Sequence, residues 1–118
     1  MSRPRRWDLK TEAALADLAD FAAMADEITS RGRAAYDADI TLRLAGEAVV
    51  SRTGEAVKRL SDDYRNAHPT VPWRAIRGTR NLVAHEYDLI DHAANWEVLA
   101  TGLPLLRRLL GLGPGQIR

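Results

Sequence analysis

Arg80, Asn81, His85 and Tyr87 stand within one run, Arg-Asn-Leu-Val-Ala-His-Glu-Tyr, of a 118-residue chain. Their types suit the cleavage of an RNA phosphodiester by its own 2′-hydroxyl. That reaction needs a base for the hydroxyl proton, an acid for the leaving oxygen, and positive charge beside the phosphorane. Histidine serves as base or acid near neutral pH. Arginine keeps its proton and grips phosphate through two parallel donors. Asn81 is placed to orient the imidazole or to touch the phosphate, and no metal is required.

The spacing matters as much as the types. With Arg80 set at zero on a helical wheel, Asn81 falls near about 100°, His85 near about 140° and Tyr87 near about 340°. Ile76, Val83 and Ile90 fall between about 280° and about 320°. Asn81 and His85 therefore stack one turn apart on the side away from the apolar stripe, with Arg80 and Tyr87 sharing an edge. This is the expected layout of an exposed polar groove. A single histidine is one short of the two proton-transfer groups wanted. A two-fold dimer would bring a second His85 to a composite site.

Four helical segments are expected to position these residues. The first runs from Asp8, its cap, to Ile28, with Leu15, Leu18, Ala22 and Ala25 at helical spacing and Phe21 and Ile28 widening the stripe. The second runs from Asp37 to Arg65, with Ile40, Leu44 and Ala48 on one face and Val50, Val57 and Leu60 extending the burial. Gly46 and Gly54 lie inside it, each marking either a close helix contact or a kink. A loop over Asn66–Val71 leads to a third helix, Pro72–Tyr87, which carries the motif. Asp88–Asp91 breaks the chain, and Asp91 caps a fourth helix with Trp96, Leu99, Leu103, Leu106 and Leu110 as its seam. Pro104 should bend that helix or start a new turn. Residues 1–7 and 111–118 are expected to be flexible ends of one domain. The fold class is all-α, an antiparallel bundle of four to five helices. Trp7, Trp73 and Trp96 are candidates either for anchoring a dimer or for ordinary core packing.

Composition narrows the chemistry further. The chain has no cysteine, which removes disulfides, thiolate zinc sites and cysteine nucleophiles. The net charge of +1 does not announce a nucleic-acid binder, so any attraction for phosphate rests on local clusters: Arg3, Arg5 and Arg6, and Arg74, Arg77 and Arg80. No apolar run is long enough to span a bilayer, a secretory signal is not expected, and a cytoplasmic location is. His85-Glu86 opens like a zinc-protease helix, but Leu89 stands where the second histidine belongs. His68 reads as a turn residue before Pro69, and His92 as a partly exposed residue near the start of the fourth helix.

Around Arg80, His85 and Tyr87 the chain resembles the HepT group of HEPN domains, whose motif is arginine, four residues, histidine, one residue, tyrosine. Asn81 matches the asparagine frequent after the arginine. Gly54-Glu-Ala-Val-Lys-Arg-Leu60 resembles the family's Gly-Glu-Ala segment, and Val71-Pro-Trp-Arg-Ala-Ile-Arg-Gly78 resembles its Pro-Trp turn. The resemblance implies a metal-independent ribonuclease toxin without cofactor, usually homodimeric. It also implies a minimal nucleotidyltransferase antitoxin that neutralises the toxin by adding AMP to the motif tyrosine, here Tyr87. Glu55 is read as a surface or core-edge charge and not as catalytic. The alternative reading is a nuclease-inactive scaffold of the same fold that only docks the nucleotidyltransferase.

Overall fold

The computed structural model describes residues 7–76 and 91–117. Helix α1, Leu9–Thr29, starts where the Asp8 carboxylate accepts the Thr11 N–H at 2.7 Å, satisfying one of the amides a helix start leaves unpaired. Ala14, Leu18, Ala22, Ala25 and Ile28 are buried along it. Alanine at three of these five positions lets neighbouring helices approach closely.

The second expected segment is not one helix. It divides into α2, Arg33–Ala38, α3, Ile40–Arg59, and α4, Asp62–Asn66. The breaks have local causes. Asp39 takes an extended conformation and its carboxylate accepts the Thr41 N–H at 2.8 Å, so it caps α3 instead of continuing α2. Leu60 is likewise extended, and Ser61 Oγ accepts the Tyr64 N–H at 3.1 Å to begin α4. These short polar side chains compete with the helix for backbone partners. The Ser61 amide also donates to Thr11 Oγ1 at 3.0 Å, tying α4 to the buried start of α1.

The expected core face of α3 is corrected in part. Val50, Val57 and Leu60 are buried, but Ile40 and Leu44 are each 55% exposed and Ala48 faces solvent. The wheel holds: the exposed stripe 40–44–48 and the buried stripe 46–50–53–57 lie on different sides of α3, which packs against α1 and the last helices.

Trp73–Ile76 is helical up to the edge of the described segment, and the Ile76 N–H donates to the Pro72 carbonyl at 3.2 Å. Beyond Asp91, α5 (His92–Glu97) runs into a π-helical turn, Val98–Gly102, and then α6, Leu103–Leu110. Asp91 caps α5 as expected, accepting the Ala94 N–H at 3.0 Å. Proline's effect is felt one residue early. Pro104 has no N–H for the carbonyl four residues back, and the Leu103 N–H already reaches five residues back to Val98. The extra residue resets the helix phase, so Leu99, Leu103 and Leu106 all face the core.

The described residues contain helices and no strand, giving an all-α bundle with α1 at its centre, packed against α3, the π-turn and α6. After α6 the chain folds back along α1. The Gln116 N–H donates to the buried Asp20 carboxylate at 2.8 Å, and Gly115 lies on the α1 backbone at Ala19. No described helix is long and apolar enough to cross a membrane.

Candidate functional site

Arg80, Asn81, His85 and Tyr87 lie in the segment 77–90, outside the described residues. What the structure does place is the frame on either side of that segment.

Upstream, the chain is fixed by Trp73. Its indole N–H is shared between the Arg65 and His68 carbonyls, at 3.1 Å each, which satisfies the carbonyls at the end of α4. Tyr64, buried, stands at the centre of an aromatic group, edge-on to Trp7 at 5.0 Å, against His68 at 4.3 Å and near Trp73 at 6.5 Å between ring centroids. Burial pushes the Tyr64 phenol above its ordinary value, with Glu12 adding to the effect. His68 Nδ1 contacts the Tyr64 carbonyl at 2.9 Å, which fits its reading as a turn residue.

Downstream, the chain is fixed by Tyr36. Its ring is fully buried, and its hydroxyl donates to the His92 carbonyl at 3.3 Å, next to the Asp91 cap. Burial raises the Tyr36 phenol as well, opposed by the nearby Arg33 and Arg43 guanidinium groups. The ring packs on Trp96 at 5.1 Å, and Arg33 lies over the outer side of Trp96 at 5.9 Å. Arg43 donates to the Tyr36 and Asp37 carbonyls, so its charge is committed to the α2–α3 corner. Neither Tyr36 nor Gly46 stood out in the sequence as functional support. The available signal was a glycine in the middle of a long helix, and the close-contact explanation of Gly46 is the correct one.

Between the two frames, α3 and the last helices leave an apolar cavity of about 140 Å³. Among the described residues Val50, Thr53 and Gly54 line one wall, Val98, Gly102 and Leu103 another, and Ala75 and Ile76 the edge nearest the motif segment. The one polar side chain among its described lining residues, Thr53, donates to the Val49 carbonyl at 2.8 Å. Glu55, next along α3, is exposed, consistent with a surface charge. His92, the first residue of α5, is half-buried as expected. Its Nδ1 is buried without a hydrogen-bond partner among the described residues, as are Glu47 Oε2 and Asn95 Nδ2. Among the described residues no three histidine or carboxylate side chains gather as a metal-ligand set.

The three tryptophans are all half-buried against their own chain. Trp7 and Trp73 flank Tyr64, and Trp96 packs on Tyr36, so their main packing is internal.

Comparison with known proteins adds a separate line. A family model described as "Ribonuclease HepT-like" matches residues 13–111, a span that includes the whole motif segment. "Putative RNase TTE0752" of Caldanaerobacter subterraneus subsp. tengcongensis is 38% identical over 55 residues, 47% of this chain and 49% of that protein. "Putative RNase MJ1380" of Methanocaldococcus jannaschii is 33% identical over 55 residues, covering 47% and 50%. "Probable ribonuclease HepT" of Thermococcus cleftensis is 32% identical over 54 residues, covering 46% and 49%. The matched stretch thus spans about half the length of these relatives. No solved structure matches the chain.

Proposed function

From the premise that this chain belongs to the HepT-like ribonuclease family, we propose that it is a metal-independent RNA endonuclease, the toxin of a toxin–antitoxin pair, acting in the cytoplasm. The observation that carries the reading is the run Arg80-Asn81…His85-x-Tyr87 lying inside the span the family model matches. In this reading Arg80 holds the scissile phosphate and stabilises the charge of the phosphorane. His85 moves the proton, taking it from the 2′-hydroxyl or giving it to the 5′-oxygen as the phosphorus–oxygen bond breaks. Asn81 orients the imidazole or the phosphate. A second copy supplies the second imidazole.

Tyr87 is the point of control. A nucleotidyltransferase partner adds AMP to its hydroxyl, which sets bulk and negative charge where substrate phosphate must sit. The frame supports this division of labour. Trp73 and Tyr36 fix the chain on both sides of the motif segment, so the polar residues need not also hold the fold together.

The test is expression of the wild type beside His85→Ala, with growth and RNA integrity followed. Toxicity and RNA breakdown that disappear in the variant, and that persist in extracts treated with a chelator, support the nuclease. Equal growth in both strains without the partner, and intact RNA, supports the inactive scaffold. Co-expression with the nucleotidyltransferase should add an adenylyl mass to the peptide containing Tyr87. A neutralised complex with Tyr87 unmodified removes the modification from the reading.

A further inference from the structure

Among the described residues, the buried side-chain atoms without a hydrogen-bond partner are not scattered over the molecule. Glu47 Oε2 belongs to α3, and His92 Nδ1 and Asn95 Nδ2 belong to the first turn of α5. These two helices pack together, and Tyr36 marks where. Its hydroxyl donates to the His92 carbonyl, and the same hydroxyl lies 3.3 Å from where a Cβ on Gly46 would stand, one residue before Glu47. Burial raises that phenol, and the Glu47 carboxylate is near enough to add to the rise. Further along, Leu99 Cδ1 lies 2.8 Å from the same Gly46 position. Residues 46–47 of α3 therefore face the stretch 92–99, in which Asn95 stands one turn after His92.

The orphaned atoms are chemically matched. A carboxylate only accepts, a carboxamide nitrogen only donates, and an imidazole Nδ1 donates in one of its neutral forms and in its charged form. One carboxylate has lone pairs for both donors. Left unpaired, each buried group forfeits its hydration without compensation. Asn95 is only 2% exposed, so bulk water does little for it. No nearby guanidinium takes the Glu47 carboxylate instead. Arg43 is committed to the Tyr36 and Asp37 carbonyls and Arg33 to the Asp37 carboxylate, and Glu47 makes no ion pair among the described residues.

We propose that Glu47 is a latch between α3 and α5, its carboxylate closing on the His92 and Asn95 donors, and that the closed latch positions the motif for RNA cleavage. His92 follows Asp91, where the chain leaves segment 77–90, so holding His92 fixes the point to which the downstream end of that segment is joined. Glu47 acts through His92 and Asn95 and not on RNA. The positioning role rests on the nuclease reading above, whereas the latch itself does not.

The experiment combines NMR, urea unfolding and cleavage on the purified full chain. The Asn95 side-chain amide should exchange with solvent about a hundredfold more slowly in the wild type than in Glu47→Ala. Unfolding supplies the decisive arm. Asn95→Asp sets one carboxylate against another and should raise the unfolding constant about tenfold. Adding Glu47→Gln exchanges acid and amide between the helices. That should return the constant to within about threefold of the wild type, a rescue that packing alone would not give. In cleavage of a single-stranded RNA, Glu47→Ala should lower kcat about tenfold and leave KM unchanged, because it disturbs position and not phosphate contact. A fast-exchanging Asn95 amide in the wild type, or an exchange variant no more stable than Asn95→Asp, would overturn the latch. Unchanged kcat in Glu47→Ala would overturn its positioning role. A wild type that cuts no RNA would remove the nuclease reading and the positioning role together, while the first two measurements still decide the latch.

Discussion

Gly46 has no side chain, and the space beside its Cα is already taken. A Cβ there would lie 2.8 Å from Leu99 Cδ1 and 3.1 Å from Tyr36 Cε2. Both neighbours are fully buried and have nowhere to retreat. Alanine ordinarily stabilises a helix interior by about 1 kcal/mol over glycine. Here overpacking, at about 1–3 kcal/mol, acts against it and wins. Gly46→Ala should therefore lower stability by about 1–2 kcal/mol in urea unfolding, against the sign that propensity alone gives. The Tyr36 phenol in the same niche, with Tyr64, gives the molecule an alkaline limit. Burial raises both phenols above the ordinary value, because it disfavours the phenolate. Below about pH 10 both are protonated folded and unfolded, so the favourable difference is fully present. As pH rises further, the unfolded chain loses its phenol protons first, and stability is lost as pH climbs through the raised folded values. Melting temperature should fall as pH rises above about 10, and the Tyr36→Phe, Tyr64→Phe double variant should fall less steeply over the same window. Parallel slopes would show that other groups set the limit.

Elements were legible in this sequence where an apolar period was long, and illegible where a single polar side chain cut it. The first helix and the Asp91 cap stand as expected because a sustained three–four repeat or an isolated acid leaves one solution. The second segment keeps its period through Asp39 and Ser61, so hydrophobic spacing does not reveal that both residues cap a new helix. The phase of α3 was hidden for a related reason. Two apolar stripes satisfy the same period, and only the contacts with α1 and the last helices decide which is core. The C-terminal segment adds a contact with almost no periodic signal. Gly115 has φ near 71°, and a Cβ on it would sit 2.1 Å from the Ala19 carbonyl oxygen. Alanine is excluded on both counts, since L-residues avoid that conformation and helix backbone does not move aside. Gly115→Ala should lift the segment from α1 and break the hydrogen bond to Asp20. The measurement is amide exchange at Gln116, whose protection should vanish while amides in the middle of α1 keep theirs. Retained protection at Gln116 would mean that the glycine is not what seats the segment.

At the scale of the whole molecule, Arg80, Asn81, His85 and Tyr87 stand out by residue type and spacing but lie outside the described residues, whereas the frame on either side of segment 77–90 is described and left no sequence signal. Trp73 and Tyr36 act through backbone carbonyls of Arg65, His68 and His92, and carbonyl partners leave no pattern in a sequence. The same scale governs how RNA would be held. With a net charge of +1 there is no broad positive field, so phosphate contacts must come from few side chains. Arg74 is the described candidate: it is exposed, it lies on the helical turn just before the motif segment, and it makes no ion pair among the described residues. Each phosphate neutralised on single-stranded RNA adds about −0.7 to the slope of log affinity against log salt. On the proposed reading, binding of an RNA by the His85→Ala variant should therefore show a shallow slope, of a few such contacts. Adding Arg74→Ala should flatten it by about 0.7. Because a phosphate contact carries no sequence information, Arg74→Ala in the otherwise native chain should slow cleavage evenly across sites without changing which bonds are cut. An unchanged slope removes Arg74 from the RNA path, and a changed cutting pattern would make it a reader of bases rather than a holder of phosphate.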